Sequence, residues 1–166
     1  LLESCGAEYT KINRSGRPSY TPFLDSLMNV SINFTNAYAN GLRSMDAVAS
    51  VFGGVPSLMK QPLIGSLYST VELSALPAEL EEQGYYSSFY HAADELSMGF
   101  KPFLLSQGLD DYLAKQQYPN QEDFDGTWGI FDMPYLQYVS EKLTEQHQPW
   151  ISGIFTLSSH HSSTIP

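Results

Sequence analysis

The chain has 166 residues, 42% of them hydrophobic and 16% charged, with 8 Lys+Arg against 18 Asp+Glu and a formal net charge of −10. One domain of this length and apolar content can bury a core, which excludes a disordered chain and a coiled coil. The acidic excess excludes charge-driven binding to nucleic acid, and the single cysteine, Cys5, excludes an internal disulfide or a CxxC metal site.

The chain opens on Leu1-Leu2-Glu3-Ser4 without a methionine, as if cut into the end of an apolar strand, and reads as an excerpt of a longer protein. Lys11 to Ser19 is a polar loop. Thr21-Pro22 starts a helix, with Pro at its first position and Phe23, Leu24, Leu27 and Met28 on one face. Ser44-Met45-Asp46-Ala47 opens another, with Ser as N-cap and an acid in the first turn. Gly53 to Thr70 is a loop, and Pro77 to Gln83 a third helix closed by Gly84 at the C′ position. Tyr85 to Tyr90 is a short aromatic run that reads as a buried strand. Pro119 to Gly126 is again loop. The longest helix runs from Pro134 to His147, with Leu136, Val139 and Leu143 at i, i+3 and i+7 and Asp132 as its N-cap. Ile151 to Leu157 is the last strand. Strands alternating with helices predict an α/β fold with a mostly parallel sheet and helices on both faces. No apolar run approaches the roughly 18 residues of a membrane span, and no secretory signal is visible.

Open parallel sheets place their sites at the carboxyl ends of strands. Glu3 and the pair His160-His161 follow two of the predicted strands, so one sheet edge receives a carboxylate and two histidines. By spacing alone Glu3 is equally a capping or solvated acid, and the histidines a surface loop. Ser44 lies at a helix start, where the dipole favours a developing alkoxide or a phosphate, with Arg43 beside it. Most serines there are simple caps, and no GxSxG elbow surrounds this one. His91 ends the Tyr85–Tyr90 strand, where a lone histidine is more often a structural hydrogen-bonder than a ligand. Trp128, in a Gly-flanked loop, is placed to line a pocket.

Six segments stand in a recognisable order: Leu1-Leu2-Glu3-Ser4, Tyr20 to Leu27, Phe34 to Ser44, Gly84 to His91, Trp128 to Asp132, and Phe155 to His161. Together they resemble sulfatase-like enzymes of the alkaline phosphatase superfamily, in the branch of lipoteichoic acid synthases and phosphoglycerol transferases. The resemblance covers the whole chain and implies an alkaline-phosphatase-like fold, present as the N-terminal portion of one catalytic domain over residues 1–166. It implies that Glu3 and Ser44 bind a divalent metal, that Ser44 is the nucleophile, and that Trp128 and His160 contact the substrate; Arg43, by its place beside Ser44, is the further substrate-binding candidate. The implied metal is manganese or magnesium, with zinc in relatives. The implied substrate is a phosphodiester, phospholipid or glycan-linked, outside the cytoplasm, in a protein anchored to the membrane by segments upstream.

The sequence departs from that branch in four ways. Ser replaces the usual Thr nucleophile. Ser162-Ser163 stand where a Pro-aromatic pair often follows the histidine. Ile130 replaces an arginine found in some synthases. The remaining metal ligands, an Asp-His pair, fall beyond the end of this chain, which by itself holds half a metal site. Alternatives are a sulfatase or phosphomonoesterase of the same superfamily, or a binding domain that kept the fold without turnover. Ser44-Met45-Asp46-Ala47-Val48 lacks the Pro and Arg of a formylglycine-type sulfatase motif.

Overall fold

The structure, a computed structural model, describes residues 1–13, 16 and 18–161. Part of the Lys11–Ser19 loop and Ser162-Ser163 lie outside the described residues. The chain divides into two compact units, Leu1–Glu3 with Ala39–Pro166, and Ser4–Tyr38.

The larger unit is built on three parallel strands: β1 (Tyr86–His91), β2 (Asp111–Leu113) and β3 (Trp150–Phe155), in the order β2-β1-β3. Six residues of β1 pair with β3, from Tyr86 opposite Trp150 to His91 opposite Phe155. Side chains alternate across a strand, so the two faces of β1 meet different layers. Phe89 meets Phe52 of the helix Ser44–Gly53 edge-on at 5.4 Å and Phe100 of the helix Phe100–Ser106 at 6.2 Å. Ser88 and Tyr90 face the other way and accept hydrogen bonds from Gln146 Nε2 at 3.0 and 3.2 Å, just past the helix Asp132–Glu145. Helices therefore cover both faces, as an α/β sequence pattern predicts.

Two elements appear that the sequence pattern did not suggest, β2 and the helix Phe100–Ser106. β2 is three residues long, too short to display a period. The second follows Met98 and Gly99, both at positive φ, and carries Pro102 in its first turn. These residues read as loop, yet Pro is tolerated where the N–H has no intrahelical partner. Phe100, Phe103 and Leu104 are buried from one face of it.

The helices, in chain order, are α1 (Pro22–Met28), α2 (Ser44–Gly53), α3 (Leu76–Glu81), α4 (Phe100–Ser106) and α5 (Asp132–Glu145). Three details correct the sequence expectations. Arg43, not Ser44, holds the N-cap position of α2, so Ser44 is the first helical residue. Phe131 likewise precedes α5, which leaves the Asp132 carboxylate for another task. Leu1-Leu2 is not a regular strand, although Leu1 lies along the end of β3: its N donates to Ile154 O at 2.7 Å and its O accepts from Thr156 N at 3.1 Å. After α3, Tyr85 N reaches Leu80 O and Gly84 N reaches Glu81 O, the paired bonds of a Gly-terminated helix end, as expected.

The smaller unit holds two single turns, Ala7–Tyr9 and Lys11–Asn13, and then α1. Asp25 of α1 accepts from Lys11 N at 2.9 Å, and Tyr20 N from the other side reaches Tyr9 O at 3.3 Å. Thr10 is its one buried residue among those described. The apolar face of α1 is largely open, with Phe23 71% exposed.

Candidate active site

The carboxyl end of β3 assembles the site. Past Leu1, the Glu3 N donates to Thr156 Oγ1 at 3.0 Å, and the Ser159 hydroxyl donates to the Glu3 carbonyl. Residues more than 150 apart in sequence thus fix one another. The fastened Glu3 directs its side chain to α2, where the Ser44 hydroxyl donates to Glu3 Oε2 at 2.8 Å. Ser44 is half-buried at the first position of α2, inside the positive end of the helix dipole. Arg43, next to it, is exposed in an extended conformation.

A second pair stands on the same sheet edge. The Trp128 and His160 rings approach with centroids 4.1 Å apart at 47°. His160 N closes a turn onto Leu157 O at 2.9 Å, and its Nδ1 lies 2.6 Å from His161 O. Trp128 is presented by a turn wound around Asp125, whose Oδ1 accepts from the backbone N–H groups of Thr127, Trp128 and Gly129 at 2.8, 2.7 and 3.1 Å. Gly129 is needed there, because a Cβ would lie 2.3 Å from Ala92 O.

Asp132 joins the Trp128 segment to the His160 segment. Its Oδ1 accepts from Leu157 N at 2.6 Å and its Oδ2 from Ser158 N at 3.0 Å, while its own N donates to Ser158 Oγ at 2.8 Å. Three bonds in a reciprocal set hold the start of α5 to the loop that carries His160. Thr156 and Ser159 carry no signal in the sequence because their partner Glu3 is more than 150 residues away, and Asp132 reads there only as a helix cap because its partners lie 25 and 26 residues on; Asp125-Gly126-Thr127 does carry a local turn signal.

The structure brings Glu3 together with Ser44, and Trp128 with His160; the Glu3–Ser159 bond ties the first pair to the loop of the second. His91 is not part of this site. It is fully buried against Phe100, Phe155 and Tyr112, with Nδ1 2.9 Å from the Tyr112 hydroxyl, and burial pulls its pKa down to about 4. Burial also pushes the Tyr112 phenol up, so that pair is neutral at pH 7. Its role is the structural one.

Glu3 and Ser44 are two hard oxygen donors in contact, which suits one side of a shell for magnesium or manganese. Among the described residues no cluster of three or more His, Cys, Asp or Glu could complete it. The pair fits part of a divalent site.

Comparison with known proteins agrees with this geometry. The sulfatase family profile matches residues 1–165. A Vibrio parahaemolyticus protein of the alkaline phosphatase superfamily superposes with a TM-score of 0.79 at 27% identity, over 86% of this chain and 36% of that one. The lipoteichoic acid synthase LtaP from Listeria monocytogenes superposes with a TM-score of 0.76 at 19% identity, over 89% of this chain and 37% of that one. The chain spans little more than a third of either structure. No curated protein matches it. Parallel sheet and family profile agree, and the chain belongs to the sulfatase family, with an alkaline-phosphatase-like α/β fold.

Proposed function

We propose that this chain is the nucleophile-bearing part of a phosphoglycerol or phosphoryl-group transferase, acting on a lipid-linked or envelope phosphodiester outside the cytoplasm. The observation that supports it is the 2.8 Å contact between Ser44 Oγ and Glu3 Oε2 at the first turn of α2. Ser44 Oγ attacks phosphorus, the new O–P bond forms as the bond to the lipid alcohol breaks, and the hydroxyl proton leaves along its hydrogen bond toward Glu3. That proton passes on to the departing alcohol oxygen; an acceptor hydroxyl then attacks the same phosphorus, the Ser44 O–P bond breaks, and the acceptor's proton returns by way of Glu3 to Ser44 Oγ. Glu3 and Ser44 would hold a divalent cation, manganese or magnesium with zinc as a further option, which supplies a lower hydroxyl pKa and neutralises phosphate charge. Trp128, tilted against the His160 ring, offers an amphipathic wall for the group being transferred, and Arg43 a cation for its phosphate. With a net charge of −10, the chain needs such local positive charge to draw in an anionic substrate.

No helix among the described residues is long and apolar enough to cross a membrane, so anchoring would come from segments outside this chain. The test is turnover of fluorescent phosphatidylglycerol and of a nitrophenyl phosphodiester by the full protein with added Mn²⁺, beside its Ser44→Ala and Ser44→Thr variants. Loss of at least about 10³-fold in Ser44→Ala with activity kept in Ser44→Thr is expected for a nucleophile. Equal rates in the parent and Ser44→Ala would refute the proposal. Preference for a nitrophenyl phosphate or sulfate would make the enzyme a phosphomonoesterase or a sulfatase instead.

A further inference from the structure

Opposite the Ser44 side of α2 lies a cavity of about 180 Å³, lined by Asp46 and Ala49 of the helix and by residues from Val55 to Leu63 of the loop that follows. Positions 44 and 46 are about 200° apart around a helix of 3.6 residues per turn, so this cavity and the Glu3 contact lie on different faces of α2. The lining is mostly apolar, with Pro56, Leu58 and Met59 prominent. Its one charged member is Asp46.

Asp46 is 7% exposed, and no hydrogen-bond donor or cation among the described residues reaches its carboxylate. Its backbone is accounted for: the N–H goes to Arg43 O at 3.0 Å, and the carbonyl accepts from Ser50 Oγ at 2.7 Å. The side chain is also held in place, since Gly41 packs so closely that a Cβ there would lie 2.4 Å from Asp46 Cβ. Most of the residue is covered, while its carboxylate oxygens keep access to water on the cavity side, where an entering cation would meet an anion without a protein partner. A fixed, unpaired carboxylate beside an apolar cavity is therefore half of a complementary pair.

We infer that this cavity binds a small organic ammonium ion, with Asp46 receiving the ammonium and the Val55–Leu63 loop covering a short aliphatic body. A hydrated metal ion is a poorer match, because one carboxylate in an apolar wall replaces little of its water shell, and no three-residue acidic or His/Cys cluster stands among the described residues. At about 30 Å³ per water, the cavity has room for roughly six heavy atoms. The site is independent of the Ser44 chemistry, although a ligand there would contact the same helix.

The experiment follows the methionine 13C methyl resonances of the full protein, Met59 assigned by substitution, during titration with n-butylammonium. Met59 lines the cavity and should shift saturably; n-butanol and butyrate, of the same shape without the positive charge, should not match it. Asp46→Asn should weaken binding at least tenfold, and Ser44→Ala should leave it unchanged, which separates this site from the proposed nucleophile. Vesicles of phosphatidylethanolamine, with phosphatidylglycerol vesicles as blank, show whether a lipid-borne ammonium also enters. A butylammonium titration without a saturable Met59 shift, or one reproduced by butanol, overturns the inference. So does undiminished binding to a folded Asp46→Asn variant. Should that variant fail to fold, the comparison of butylammonium with butanol in the unsubstituted protein decides.

Discussion

Replacing Asp132 by alanine removes the acceptors of two backbone N–H groups, Leu157 N at 2.6 Å and Ser158 N at 3.0 Å. Leu157 is buried, so its N–H has no ready access to water once the carboxylate is gone. Hydrogen bonds to a charged group contribute about 1.5–3 kcal/mol each, and a partly exposed one less. A carboxylate in the first turn of α5 adds a few tenths through the helix dipole. The expected cost is about 2–4 kcal/mol. Asp132→Asn keeps one acceptor oxygen and should lose about half as much. Stability is read from urea unfolding followed by far-UV circular dichroism. A second readout is local: the freed loop carries His160 away from Trp128, whose emission should rise in a Trp150→Phe background as the ring contact at 4.1 Å is lost. An Asp132→Ala variant within about 0.5 kcal/mol of its parent, with unchanged Trp128 emission, would refute the idea that these bonds fasten the loop.

Three further outcomes are expected. His91 is held neutral, with its pKa lowered to about 4 from an ordinary 6.5, so the unfolded chain binds its proton first as pH falls. Stability from this group is complete above about pH 6.5 and declines by up to about 3 kcal/mol toward pH 4; His91→Phe should remove that slope, read as the difference between the two proteins' unfolding free energies across pH. Gly129→Ala drives a Cβ toward Ala92 O, and should cost about 1–3 kcal/mol in the same urea assay, whereas Gly126→Ala, with open space at its Cβ but φ of +84°, should cost about 1 kcal/mol. Asp125→Ala strips three N–H groups of one acceptor and should lower the thermal midpoint by several degrees, with Asp125→Asn recovering part of it.

What the sequence discloses follows the reach of its signals. β1, β3, α3 and α5 announce themselves through apolar runs, Pro at starts and Gly84 at an end, all local. The face of α5 was less legible: Val139 is buried as expected, but Tyr135 does the packing, and Leu136 is half open. Tyr135 donates its hydroxyl to Leu113 O at 2.8 Å, on a strand too short for any period to reveal. Glu3 and Ser44 stand 41 residues apart, and no spacing rule links them; the family resemblance singled them out, and the fold puts them in contact. Asp132 was visible as an acid at a helix start, where capping is the ordinary expectation, but its carboxylate is spent 25 residues downstream. Asp46 looked like routine first-turn charge, and only its burial without a partner distinguishes it.

Glu3 owes its position to Thr156 and Ser159, at separations of 153 and 156 residues. During synthesis, therefore, Ser44 emerges early and α2 can form, while the carboxylate that meets its hydroxyl has no fixed place until β3 has left the ribosome. Such distant contacts close late, since the loop entropy must be overcome before they are rewarded. A nascent chain short of Thr156 would carry the serine on its helix without the fastened carboxylate beside it, so the Glu3–Ser44 contact is assembled only once β3 is in place.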